Sequence, residues 1–400
     1  MSASSSSSKQ GVKVLVTGSI LQLFLGVIYV WSVFVKPVSE FWKWDVDAVK
    51  LTSSFMLAFF VLGILIGGRL QNKLGTHFMV LGGGLLMAVG MVSTSLLSSA
   101  AAWPIYITYG IVGGFGVGMA YNAIISCAQK WFPTKRGLAT GISVCMFGFS
   151  TVIFAPLIEY LIRQFSLLTT LQILGGAFLV VTLALFSFIR TPEETTQTGG
   201  AAGSSVQQKQ YTTVEMLKNP SFYLISLSMM LLTASFFILT PSLKSLPTEL
   251  GYGSNIGTFI VMLTGIASAL GRLAVPLLGD KIGPAKAVFT ILAATAVCMA
   301  GLCINNSIVF IVAVAVVAFC YGGSSGIYPV VTGRFFGLKN IGSNYGMVMI
   351  GFMLSSLCFP QVINLITNNT VKFITLAGVA AFGAVIAIAL IMLEKRKGTK

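Results

Sequence analysis

Apolar stretches of membrane-crossing length recur from one end of the chain to the other, and they leave it few ways to fold. A helix needs about 20 predominantly apolar residues to cross a bilayer. Runs of that size occupy residues 13–35, 48–70, 77–98, 103–128, 137–160, 167–189, 221–243, 255–278, 285–303, 307–332, 343–365 and 371–393. In lipid every backbone N–H and C=O must be satisfied inside the segment, so each run is expected to be helical. Composition agrees: 56% of the 400 residues are hydrophobic and 9% charged, against about a quarter charged in water-soluble domains. The expected class is an all-α polytopic membrane protein with twelve transmembrane helices.

A formal charge of +15 would suit a nucleic-acid binder, but its distribution argues otherwise. With the N-terminus inside, basic residues crowd one side, at Lys9, Lys13, Lys130, Lys135, Arg190, Lys218, Lys286, Lys339 and the KRKGTK terminus. The other side receives Lys36, Lys43, Lys50, Arg163, Lys244 and Lys372. That asymmetry is the positive-inside rule, and it predicts cytoplasmic termini in the plasma or inner membrane. Nucleic acid is not an expected partner; the lipid bilayer is. Cys127, Cys145, Cys298, Cys303, Cys320 and Cys358 all fall in apolar runs without CxxC spacing, so they read as small core residues and no metal site is expected.

The longest polar interruption, residues 191–220, contains TGGAAGSSVQQKQ and separates six runs from six. The organisation expected is a tail (1–12), a first six-helix half (13–190), a linker (191–220), a second half (221–394) and a basic tail (395–400). The halves share punctuation. GRLQNKLGTHF follows span 2 and PLLGDKIGPAK follows span 8, each placing a lysine (Lys73, Lys281) two positions before a glycine (Gly75, Gly283). KWFPTKRGLATG after span 4 is echoed by RFFGLKNIGSNYG after span 10. Parallel half-repeats are a transporter architecture, with substrate held near mid-membrane at the repeat interface.

The twice-used Gly-x-Leu-x-(Asp/Asn)-Lys-x-Gly turn resembles the signature loop of the major facilitator superfamily. LGVIYVWSVFVKP in span 1, KWFPTKRGLATG before span 5 and TTVEMLKNPSFYL entering span 7 resemble the oxalate/formate antiporter family and its monocarboxylate-transporter relatives. The resemblance implies two pseudo-symmetric six-helix bundles, a secondary transporter acting by alternating access, and a structural or gating part for Asn72, Lys73, Gly75, Arg136, Asp280, Lys281 and Gly283. Two departures stand out. Asn72 replaces the usual aspartate, so the first half is expected to lack a charge contact that Asp280 keeps. Span 11 also lacks the lysine by which oxalate carriers of this family resemble one another.

Arg272 is the one charged side chain placed well inside a predicted span, in TGIASALGRLAVPLL. An arginine there costs roughly 2.5–3.5 kcal/mol on insertion scales. It either snorkels to an interface or backbone carbonyl, or its planar fork anchors a carboxylate bidentately. Thr264, Ser268 and Arg272 recur at i, i+4, i+8 and share one stripe. By resemblance Arg272 matches the span-8 arginine that the family uses for carboxylates. Tyr29 with Gln22 and Ser32 in span 1, Tyr121 and Asn122 in span 4, and Tyr321, Ser325 and Tyr328 in span 10 could add hydroxyl donors and apolar walls. The alternative for each tyrosine is core packing with its hydroxyl on the backbone. Trp31 and Trp103 read as interfacial belt residues.

One buried cation balances one carboxylate, and a second unpaired charge in low dielectric costs several kcal/mol. A small monocarboxylate is therefore expected over oxalate, bound by Arg272, Tyr29, Tyr121, Asn122, Ser268, Tyr321 and Tyr328. No Walker loop, nucleophile–base pair or cofactor motif is present, so neither an enzyme nor a cofactor is expected. Gly110, Gly114 and Gly118 put one glycine per turn on span 4, a pattern for close helix packing. The acid that proton-coupled relatives place before the arginine is Gly271 here. Proton symport, anion exchange and facilitated diffusion stay open, as do an oxalate/formate-type exchanger and a non-transporting carboxylate sensor. The protein is expected to be monomeric.

Overall fold

The computed structural model describes residues 2–98, 101–192, 209–243, 246–252, 254–363 and 365–398. Of the expected linker, residues 193–208 lie outside them. Among the described residues twelve helices are long and apolar enough to cross a membrane: Lys9–Trp42, Val46–Leu74, Thr76–Ser95, Trp103–Trp131, Arg136–Gln164, Leu167–Phe188, Pro220–Leu239, Phe259–Ile282, Pro284–Gly301, Ser307–Phe336, Ile341–Ile363 and Asn369–Lys395. They are numbered spans 1–12. Many large apolar side chains on them face outward, among them Val89, Val180, Leu183, Phe382 and Val385. Such surfaces are unstable in water and suit lipid.

Polar caps set where helices begin. Asp45 Oδ2 accepts from the Asp47 and Ala48 N–H, each at 3.0 Å, ahead of span 2. Asn219 caps span 7 with Pro220 at its first position. Asn306 Oδ1 accepts from Ile308 and Val309 at the head of span 10. Each satisfies N–H groups that a helix start leaves without an intrahelical acceptor. The TTVEMLKNPSFYL motif contains two such starts in succession. Thr212 and Glu215 form a reciprocal capping box on a short helix, Thr213–Leu217, and the Asn219 cap follows.

Several helices outrun the apolar pattern. Span 1 belongs to a helix that begins at Ser2 and so takes in residues 2–12, expected as a tail; it ends at Trp42, past Pro37. Inside it a 3₁₀ turn at Gly26–Val30 interrupts the α-helical phase, where Gly26 lies against the Phe147 carbonyl too closely for a Cβ. Span 4 contains a π-helical stretch, Tyr106–Gly113. Both interruptions rotate the side chains beyond them relative to an ideal helix.

The chain divides into two compact units. Unit 1 comprises Met1–Pro133, Met146–Ser205 and Asn340–Met347; unit 2 comprises Thr134–Cys145, Val206–Lys339 and Val348–Lys400. The start of span 5 thus belongs to unit 2 and the start of span 11 to unit 1. Hydrogen bonds explain both. In unit 2 the Asp280 carboxylate accepts the Gly137 and Leu138 N–H at 2.8 Å each, at the positive end of span 5. In unit 1 Asn72 donates to Asn340 Oδ1 at 3.0 Å, and the Ser343 hydroxyl donates to Gly68 O at 2.8 Å. The second signature loop thus uses a carboxylate to accept backbone N–H groups, whereas the first makes an amide-to-amide contact. Gly75 and Gly283 adopt φ of +88° and +100°, which explains the glycine after each lysine.

In unit 1, Gly118 of span 4 lies directly against the Phe60 carbonyl and Gly114 against that of Met56, both of span 2. The glycine stripe thus packs helices, as its spacing implied. Unit 2 is built on a cluster including Leu239, Ile260, Met299, Phe310, Val314 and Leu376.

Candidate functional site

Span 8 carries the strongest candidate, and its backbone is held by glycines. Gly271 sits against the Phe319 carbonyl of span 10, and Gly322 against that of Ser268, with no room for a Cβ at either. From span 5 the Cys145 thiol donates to Ala269 O at 3.4 Å, and Cys145 lies within electrostatic reach of Arg272. Held between spans 5 and 10, Arg272 is buried, at 6% exposure. A snorkelling arginine would reach the surface, so burial leaves two readings, a backbone carbonyl of a neighbouring helix or a bound carboxylate. Ser268 and Thr264 are buried on the same stripe, although Thr264 spends its proton on Val261 O at 2.9 Å.

The remaining span-10 candidates separate. The Tyr321 ring stacks on Phe236 at 4.0 Å between centroids, with Phe237 and Phe352 alongside. It is the aromatic member of unit 2 available to form an apolar wall. Tyr328, by contrast, is fully buried and donates to Ser228 Oγ of span 7 at 3.1 Å. Its hydroxyl is already used in the core of unit 2. The Ser325 hydroxyl likewise donates to Gly322 O at 2.6 Å.

Unit 1 presents an aromatic cluster. Tyr29 and Tyr121 both pack edge-on against Phe147, at 5.4 and 4.8 Å, and Phe60 closes on Tyr121 at 5.3 Å. Tyr345, from the start of span 11, is buried and interacts with both Tyr29 and Tyr121. Sequence reasoning missed it; the available signal was SNYG in the repeated loop after span 10. Tyr29 and Ser32 also line a cavity of about 250 Å³ with Trp31, Lys50, Ser53 and Met56.

Expectations for spans 1 and 4 change at three residues. Asn122 donates to Ile64 O at 2.9 Å and to Gly342 O at 2.8 Å. Its amide hydrogens clamp span 4 to span 2 and to the start of span 11, leaving none for a ligand. Gln22 similarly donates to Tyr121 O at 3.2 Å. Trp31, expected at the membrane interface, is 2% exposed; it donates to Val49 O at 3.1 Å and packs on Tyr109 at 4.4 Å. The 3₁₀ turn ahead of it turns the indole inward. Trp103 is exposed. Glu159, the nearest carboxylate to a span interior, faces Arg163 at 4.0 Å on an exposed surface.

Among the described residues no group of histidine, cysteine and carboxylate side chains could hold a metal ion. The chemistry on offer is recognition: a buried guanidinium in unit 2 and a tyrosine cluster in unit 1.

Comparison of the sequence with known proteins finds a family match. The sequence profile of the Major Facilitator Superfamily matches residues 16–360 and, in a second match, 225–400. Among curated relatives, the uncharacterized MFS-type transporter YhjX of Escherichia coli (strain K12) is 27% identical over 345 residues, covering 85% of this chain and 84% of that one. The oxalate:formate antiporter of Oxalobacter formigenes is 26% identical over 336 residues, covering 82% and 78%. Monocarboxylate transporter 13 of Rattus norvegicus is 25% identical over 263 residues, covering 66% and 59%. Among solved structures, the MFS proton:xylose symporter XylE superposes with a TM-score of 0.69 at 15% identity, covering 94% of this chain and 95% of that one.

Proposed function

Because the chain belongs to the Major Facilitator Superfamily, we propose that it carries a small monocarboxylate of the lactate, pyruvate or formate class across the membrane by alternating access. The observation that carries this reading is Arg272, buried in span 8 at 6% exposure. A guanidinium fork matches a carboxylate with two parallel hydrogen bonds, and low dielectric strengthens the pair. Tyr321, stacked on Phe236 in the same unit, offers an apolar wall, and Ser268 a short polar side chain on the Arg272 stripe. Within unit 1, Tyr29 and Tyr121 form an aromatic cluster of their own around Phe147. The oxalate:formate antiporter and the monocarboxylate transporter among the relatives support an organic anion as cargo. The absence of any lysine from residues 341–363 favours one carboxylate over two. Both termini are assigned to the cytoplasm on the positive-inside distribution.

Counterflow in proteoliposomes preloaded with lactate, pyruvate, formate or oxalate tests the reading, with and without a proton gradient. Trans-stimulated lactate or formate uptake is expected, and it also separates a carrier from a sensor. Arg272→Ala should abolish uptake, and Arg272→Lys should fail to restore it fully because a point charge replaces the fork. Oxalate exchange with monocarboxylates excluded would overturn the substrate class; full activity in Arg272→Ala would overturn the site.

A further inference from the structure

Where span 1 begins and span 6 ends, both on one side of unit 1, Lys9, Lys13, Val14, Ser187, Phe188 and Arg190 line a cavity of about 450 Å³. Gln10 completes the lining, and three of the seven residues are cations. Lys9 and Lys13 stand one helical turn apart on the same face, an arrangement that repels in an isolated helix. The ion pairs among the described residues lie elsewhere, so among those residues no carboxylate pairs with these cations. The surroundings are ordered. Lys13 Nζ sits 4.0 Å above the Phe188 ring. Arg190 Nε donates to Ser187 O at 3.1 Å. The Arg190 carbonyl accepts from Trp131 Nε1 at 2.7 Å and from the Cys127 thiol at 3.3 Å, which pins the backbone carrying the guanidinium.

The positive-inside rule requires basic residues on this side of the protein. It does not require three of them around one cavity with an apolar floor. Arginine and lysine together suit a phosphate, the fork taking two oxygens and the ammonium groups neutralising the rest. Because the cavity opens where two spans meet the membrane boundary, a phosphate there can arrive on a lipid, its acyl chains running along apolar surface such as Val14 and Phe188. Basic pockets between transmembrane helices bind anionic headgroups in this way. We propose that this cavity binds the phosphodiester headgroup of an anionic phospholipid. The proposal does not depend on what Arg272 carries.

Native mass spectrometry of the delipidated full chain, titrated separately with phosphatidylglycerol, phosphatidylcholine and inorganic phosphate, tests it. Phosphatidylglycerol affinity should fall about fivefold for each cation removed, and about a hundredfold in Lys9→Gln/Lys13→Gln/Arg190→Gln. Phosphatidylcholine should bind both proteins weakly and alike, and inorganic phosphate should displace no lipid. Lys73→Gln/Lys286→Gln/Lys339→Gln removes equal charge elsewhere and should keep full affinity. Should the first triple variant fail to fold, Lys9→Gln alone, at an exposed position, still reads the effect, and Lys9→Arg/Lys13→Arg should retain binding. Unchanged affinity in the cavity variants, an equal loss in the distant variant, or displacement by inorganic phosphate overturns the proposal.

Discussion

The hydrogen bond between Tyr328 and Ser228 offers a quantitative test of which tyrosines belong to the core. Tyr328 donates to Ser228 Oγ at 3.1 Å, and Ser228 in turn donates to Ile225 O at 2.8 Å. Tyr328→Phe removes a donor while Ser228 keeps its own acceptor, so the stability cost should be about 0.5–1.5 kcal/mol. Ser228→Ala is worse, about 1–3 kcal/mol, because a fully buried phenol loses its acceptor. In the double variant that stranded hydroxyl is gone, so the combined cost should fall short of the sum. Interhelical hydrogen bonds in membrane proteins couple by about 0.6 kcal/mol on average, with about 1.7 as the upper end. Equilibrium unfolding in mixed micelles measures the four corners of the cycle, and counterflow measures KM for the same proteins. KM should stay constant, since the hydroxyl is spent within unit 2. Strictly additive costs would refute the hydrogen bond. A KM raised about tenfold in Tyr328→Phe, equal to 1.4 kcal/mol of binding, without loss of stability would return Tyr328 to the substrate site.

Two further expectations concern helix starts. Asp280→Ala removes both acceptors from the Gly137 and Leu138 N–H groups and should cost about 1–2 kcal/mol, read by thermal unfolding in detergent. Asp280→Asn should cost roughly half that, and equal costs for the two would show that the charge is irrelevant. The Thr212 backbone N–H and hydroxyl both donate to Glu215, holding its carboxyl below the ordinary value of 4.5. A lowered folded-state value means the contribution is full above the unfolded value and is lost as pH falls through the folded one. The difference in melting temperature between the parent and Glu215→Ala should therefore be constant at neutral pH and shrink on acidification. A difference that grew on acidification would reverse the sign of this linkage.

The candidate site was only partly legible in the sequence. Arg272 stood out because a lone charge in an apolar run is anomalous under any helix orientation, and the structure buries it. The tyrosines were harder. Tyr29, Tyr121 and Tyr328 each sit in apolar helices where spacing alone allows either a core or a ligand-facing part. Tyr29 and Tyr121 meet at Phe147, whereas Tyr328 is paired with a serine 100 positions away in sequence. Tyr345 was harder still: SNYG marks the repeated loop, but nothing in span 11 indicates that its first turn packs with spans 2 and 4.

The sequence by itself determined the number of membrane crossings, the two-fold repetition of the halves and the glycine turns of the signature loops. Each follows from local rules: apolar length, recurring punctuation, or a backbone angle that only glycine adopts cheaply. Only the tertiary structure decided which face of each helix turns inward and which segment packs with which unit. Helical phase is not local: a 3₁₀ turn at Gly26–Val30 buries Trp31, and a π-helical stretch at Tyr106–Gly113 resets the face of span 4 beyond it. The grouping of span 5's start with Asp280, and of span 11's start with Asn122 and Gly68, likewise rests on hydrogen bonds across more than a hundred residues. Periodicity within one helix carries no information about such partners.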